Sequence, residues 1–199
     1  MSWQKFFGVA VGLMISSAAM AQSLQLGQPS YGGNGCPGGS ASAVLSPDNA
    51  ELSILFDQYY AEAGNTTGRR IDRKSCNLAV PVRVPAGYSV AIVQVDYRGF
   101  TAVPAGGMDR FDVEYFWAGT RGPRQSRIFS GPTNQPYTIS DQLIASTLVW
   151  SGCGAEVNLR INSSMMAQSN ARGDQTIGTV DSVDVSSGLI YHLQWRPCQ

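Results

Sequence analysis

The sequence predicts an all-β fold, an antiparallel β-sandwich of jelly-roll type held by two disulfides. Three observations predict it. Apolar residues recur with period two in successive runs while helical periodicity is nearly absent. Turn signals rich in Gly and Pro separate those runs. Four cysteines follow a segment that reads as an export signal, and export delivers thiols to an oxidising compartment where they pair.

That first segment carries one positive charge at Lys5, then an apolar run from Phe6 to Ala18, then Ala19-Met20-Ala21 with small residues at the first and third positions. The pattern predicts a signal peptide over residues 1–21, cut after Ala21, and a single secreted or periplasmic domain over 22–199. A membrane span needs roughly 20 apolar residues. This run is shorter and meets polar Gln22 and Ser23 at once, and no later stretch is apolar enough to span. The whole chain balances 14 basic against 14 acidic side chains, and the cut removes only Lys5 from that balance. A near-neutral domain has no long-range electrostatic hold on nucleic acid or anionic lipid.

In chain order, the Tyr31–Ser40 stretch YGGNGCPGGS reads as a tethered loop, because it lacks the spacing and following helix of a phosphate-binding loop. Glu51–Phe56 opens a strand after the turn Ser46-Pro47-Asp48-Asn49. From Cys76 to Val84, the residues Cys76, Leu78, Val80, Val82 and Val84 share one face. Pro81 lies on the other face and cannot donate to a ladder, so this strand belongs at an edge or carries an irregularity. Tyr88–Val95 is almost continuously apolar, as in a strand covered on both faces. Phe111, Val113, Tyr115 and Trp117 alternate with Asp112, Glu114 and Phe116. Ser140–Ser146 is the one stretch suited to a single helical turn. Val157, Leu159 and Ile161 form another alternating strand, and Leu189, Tyr191, Leu193 and Trp195 the last.

Cys36, Cys76, Cys153 and Cys198 are separated by 40 residues or more, which argues against a zinc site built on close pairs and for two disulfides. Three pairings are possible. Trp150-Ser151-Gly152-Cys153 and Trp195-Arg196-Pro197-Cys198 both place a cysteine three residues beyond a tryptophan at a strand end. The repeat favours Cys153 with Cys198, leaving Cys36 with Cys76.

Candidate chemistry is sparse. His192 is the single histidine, on the polar side of its strand, and no G-x-S-x-G elbow supplies a nucleophile for it. Carboxylate pairs for glycoside hydrolysis can be drawn from Asp57, Asp96, Asp112, Glu114, Asp181 and Asp184, but acids alternating with apolar residues are also what the wet face of a strand requires. Asp181 and Asp184 lack the frame of a calcium loop. No metal or cofactor is expected. Arginines cluster at Arg69, Arg70 and Arg73 beside Lys74, and again at Arg121, Arg124 and Arg127. Tyr59, Tyr60, Tyr97, Phe100, Tyr115 and Trp117 are aromatics that sugars can stack on, or that a sandwich core consumes.

The segments GNGCPGG, LSPDNAELSILFDQY, RKSCNLAVPVRVPAGY, VDYRGF, VWSGCG and LQWRPC together resemble a secreted family catalogued as domain of unknown function 4360. The resemblance implies a small secreted β-rich domain with two disulfides and names no activity. Asp96-Tyr97-Arg98-Gly99 resembles the family's signature. It reads either as a structural turn with an Asp to Arg pair or as a binding site formed by Asp96, Tyr97 and Arg98. The expectation is a non-enzymatic binding or envelope-associated module for surface carbohydrate or protein. The rivals are a glycosidase-like hydrolase using Asp96 with Asp57 or Glu114, and an effector against neighbouring cells.

Overall fold

The structure is a computed structural model that describes residues 24–143, 148–180 and 188–198. In chain order its strands are Gln25–Leu26 (β1), Ser30–Gly32 (β2), Ala41–Leu45 (β3), Glu51–Phe56 (β4), Tyr60–Ala63 (β5), Ile71–Arg83 (β6) and Tyr88–Val103 (β7). They continue with Met108–Trp117 (β8), Arg124–Ser130 (β9), Thr133–Gln142 (β10), Glu156–Gln168 (β11), Thr176–Thr179 (β12) and Leu189–Pro197 (β13). The first sheet runs β1-β6-β11-β8-β9, with β2 also on β6. The second runs β3-β4-β13-β7-β12-β5, with β10 on β7. Every strand pairing is antiparallel, so the chain is the expected β-sandwich. No helix among the described residues is long and apolar enough to cross a membrane.

The period-two runs become the inner faces. Cys76, Leu78, Val80 and Val82 on β6 meet Leu159, Ile161 and Met165 on β11 and Phe111, Val113, Tyr115 and Trp117 on β8, all buried in one core. The second sheet closes it with Leu52, Ile54 and Phe56 on β4, Val95 and Tyr97 on β7, and Leu189 and Tyr191 on β13. Aromatic rings lock the sheets edge to face: Tyr97 with Phe111 at 5.5 Å and Tyr115 with Tyr191 at 5.6 Å between centroids. Such pairs each contribute about 0.5–1.5 kcal/mol beyond their buried area.

Pro81 sits where the flanking edge is interrupted. β1 covers Val82 and Arg83, β2 covers Asn77 to Ala79, and between them Gly27 donates its N–H to the Pro81 carbonyl at 2.8 Å. The irregularity expected of this proline is thus a break in the neighbouring edge strand. Ser89 to Ile92 are all buried, as the continuous apolar run of β7 requires. The helical turn expected over Ser140–Ser146 does not form in its first part. Ser140, Asp141 and Gln142 instead complete β10, in register with Asp96, Val95 and Gln94. A partner strand satisfied this backbone before a lone helical turn could, since one turn fixes several residues for one hydrogen bond. Residues 144–147 lie outside the described residues.

Both bridges form as the tryptophan repeat favoured, Cys36 with Cys76 and Cys153 with Cys198. The first ties the Gly-rich loop to β6. The second ties the end of β13 to the segment preceding β11, where Arg196 lies 4.0 Å above the Trp150 ring.

Candidate functional site

Each sheet buries one face, and the outer face of the first is a polar array. Cross-strand register aligns Asn77, Asn162, Glu114 and Arg124 in one row, and Ser75, Ser164, Asp112 and Ser126 in the next. A third row sets Ala79, Arg160 and Phe116 side by side. Where the first two rows meet, Asp112, Glu114, Arg124, Asn162 and Ser164 line a shallow depression of about 110 Å³. A second hollow of about 420 Å³ shares only β11 with the first and opens toward β6 and β1, lined by Gly27, Pro81, Arg83, Glu156 and Asn158 among others.

The two acids that the alternation placed on one face therefore share one concavity. Their environments differ. Asp112 is almost wholly covered: Arg110 donates to its Oδ1 through Nε at 3.0 Å and Nη2 at 2.8 Å, and Arg73 lies 3.6 Å from its Oδ2. Glu114 is partly exposed and has no ion pair among the described residues.

The outer face of the second sheet carries a separate cluster. His192 Nε2 lies 2.7 Å from Asp96 Oδ2, and its Nδ1 lies 3.4 Å from Glu51 Oε1. Gln94 Nε2 donates to Asp96 Oδ1 at 3.0 Å. Burial pushes the Asp96 carboxyl up, but hydrogen bonds from Ser140, His192 and Gln94 and the His192 charge outweigh it and hold the group below its ordinary range. With both ring nitrogens facing carboxylates, His192 has none left to act as a base on a substrate.

One carboxyl moves the other way. Asp109 is fully buried between the sheets, and burial pushes it up to about 7 against the single hydrogen bond from Thr101. It cannot touch a ligand from there.

A family model described as a domain of unknown function (DUF4360) matches residues 22–198. The chain belongs to the DUF4360 family. The DUF4360 chain is also 36% identical, over 169 residues, to an uncharacterized secreted protein of Arthroderma benhamiae, covering 84% of this chain and 69% of that protein. Among solved structures it aligns with TmCBM61 in complex with beta-1,4-galactotriose, over 85% of this chain and 88% of that one, at 13% identity and a TM-score of 0.28. A superposition that poor carries no argument about the DUF4360 ligand.

The signature-like tetrapeptide of this DUF4360 chain is not a turn. Asp96, Tyr97, Arg98 and Gly99 all lie within β7. Asp96 pairs with His192 of the neighbouring strand β13 rather than with Arg98. Tyr97 is fully buried in the core, so only Asp96 and Arg98 of that trio reach the outer face. Gly99 is required by close approach: a Cβ there would collide with the Thr179 carbonyl and the Tyr137 hydroxyl, which are themselves hydrogen-bonded at 2.7 Å.

The hydrolase acids are not brought together. Asp96 is on β7 of the second sheet, Glu114 on β8 of the first, and Asp57 is exposed just after β4. Asp181 and Asp184 lie outside the described residues. Among the described residues no cluster of three His, Cys, Asp or Glu side chains is placed to hold a metal. Of the arginine clusters, Arg69 and Lys74 pair with Asp72, Arg73 faces Asp112, and Arg127 pairs with Asp141. Of the aromatics, Tyr59, Tyr97, Tyr115 and Trp117 fill the core, while Tyr60 is exposed. Sequence reasoning named Asn162-Ser163-Ser164 only as a match to the glycosylation pattern and Phe116 only as an alternating strand residue, and put none of them forward as a binding surface. The signal was available in the alternation of β8 and β11, but only the register shows that these residues are neighbours.

Proposed function

We propose that the mature protein is an exported, non-enzymatic carbohydrate-binding module that uses the outer face of its first sheet. The observation that carries this reading is the depression lined by Asp112, Glu114, Arg124, Asn162 and Ser164. It offers amide, hydroxyl, carboxylate and guanidinium groups, the donors and acceptors that match ligand hydroxyls. They stand on strands whose spacing is set by the ladder, so little ordering is needed on binding.

A protein partner is less well served. Interfaces depend on clustered apolar anchors, and the exposed large apolar residues here, Val44, Tyr60, Ile71, Tyr88 and Ile128, lie on five different strands. Catalysis is also poorly served. Glycoside hydrolysis needs a protonated acid at the surface, whereas the raised carboxyl, Asp109, is in the core and Asp112 is fixed by two arginines. Export through the 1–21 segment, with the cut after Ala21, fits a family match that begins at residue 22 and two formed disulfides.

The test is a glycan array with the mature protein, comparing wild type with Asn162→Ala. Retention on one sugar class, weakened by the substitution, is the expected result. Release of reducing ends would overturn the non-enzymatic reading, and silence across the array would overturn the carbohydrate reading.

A further inference from the structure

We infer that the ligand is an extended acidic polysaccharide lying along β11, its carboxylates held by Arg160, rather than a single sugar or a neutral chain. The inference rests on the carbohydrate reading above and goes beyond it in ligand length and charge.

Length follows from where the hollows lie. Asn158 lines one and Asn162 the other, both on the outer face of β11. Four residues of strand at about 3.3 Å each separate them by about 13 Å, more than one sugar ring spans. Between them stands exposed Arg160, with buried Ala79 opposite it on one side and half-buried Phe116 on the other. Phe116 presents the outward aromatic of β8, in position to stack a ring between the two hollows.

Charge follows from which groups are already satisfied. This face carries five arginines, Arg73, Arg83, Arg110, Arg124 and Arg160, against three carboxylates, Asp112, Glu114 and Glu156, in a chain that is neutral overall. Asp112 is shared by Arg73 and Arg110, and Glu156 is paired with Arg83. Arg160, midway between the hollows, has no ion-pair partner among the described residues. A planar guanidinium fork takes a carboxylate in a bidentate pair that an amide or a hydroxyl does not reproduce.

The experiment is calorimetric titration of the mature protein with galacturonic acid, an oligogalacturonate pentamer and a neutral galacto-pentamer. The acidic pentamer should bind roughly tenfold or more tightly than either of the others. Its affinity should fall with added salt and drop by roughly tenfold in Arg160→Gln. Arg160 is exposed, so the variant should keep the wild-type melting curve, and Arg172→Gln in the turn after β11 should leave binding unchanged. Equal binding of the neutral pentamer, equal binding of the monomer, or an unaffected Arg160→Gln would overturn this inference while leaving the carbohydrate reading intact. No binding of any glycan, on the array or in titration, would overturn both.

Discussion

The Thr101 hydroxyl on β7 donates to Asp109 Oδ2 on β8 at 2.7 Å, a hydrogen bond that crosses from one sheet to the other inside the core. Burial raises the Asp109 pKa from 3.8 to about 7. Between those two values the folded protein holds a proton that the unfolded chain has lost, so stability falls as pH rises through that window and levels off above it. Asp109→Asn should abolish the slope. The variant should be more stable than wild type at pH 8, by roughly 2–4 kcal/mol, and within about 1 kcal/mol of it at pH 4. Urea midpoints across the range decide it; parallel curves for the two proteins would rule the assignment out.

Asp96 has the opposite sign. Its folded pKa is held below 3.8 by Ser140, His192 and Gln94, so its contribution is present above that pH and is lost as pH falls through the folded value. His192→Gln should cost about 1–2 kcal/mol at pH 6 and should shrink the loss of stability on acidification. An unchanged acid limb would show that His192 does not hold the carboxylate.

The Cys153 to Cys198 bridge closes a separation of 45 residues, and the Cys36 to Cys76 bridge one of 40. Chain entropy assigns each about 4 kcal/mol. Either double Cys→Ala variant should lower the melting temperature sharply, and the non-reduced mature protein should show no alkylatable thiol. Peptide mapping that joined Cys36 to Cys198 would overturn the pairing.

Gly99 and Gly32 test close approach. Gly99→Ala must displace either the Thr179 carbonyl or Tyr137, breaking the bond between them, whereas a Cβ at Gly32 meets nothing within 4 Å. The first substitution should cost about 2 kcal/mol or more and the second less than about 0.5 kcal/mol, both read from denaturant midpoints.

Much of the frame was legible along the chain. The inner faces of β6, β8 and β11 and the start of β13 follow residue by residue from period two, because a buried strand face must be apolar at every second position. β9 and β10 were not legible. Arg124–Ser130 and Thr133–Gln142 are largely polar, and they are strands because β8 and β7 offer them unpaired edges. β13 departs from its alternation where the register shifts between His192 and Leu193, so Leu193 and Trp195 are only partly buried. The outward side of a strand also looks alike whether it is idle or functional: the sequence shows Asp112 and Glu114 beside each other, but not Asn162 and Ser164 across from them.

By itself the sequence determined the fold class, the two disulfides and the neutral surface, since each rests on local pattern, spacing or a count. Only the tertiary structure decided which polar residues meet. It buried Tyr97, gave Asp96 to His192 instead of Arg98, withdrew Asp109 into the core, and assembled Asp112, Glu114, Arg124, Asn162 and Ser164 from three strands. The physical reason is that a strand states which face each residue takes, while its neighbours on that face are set by a register that depends on the whole sheet.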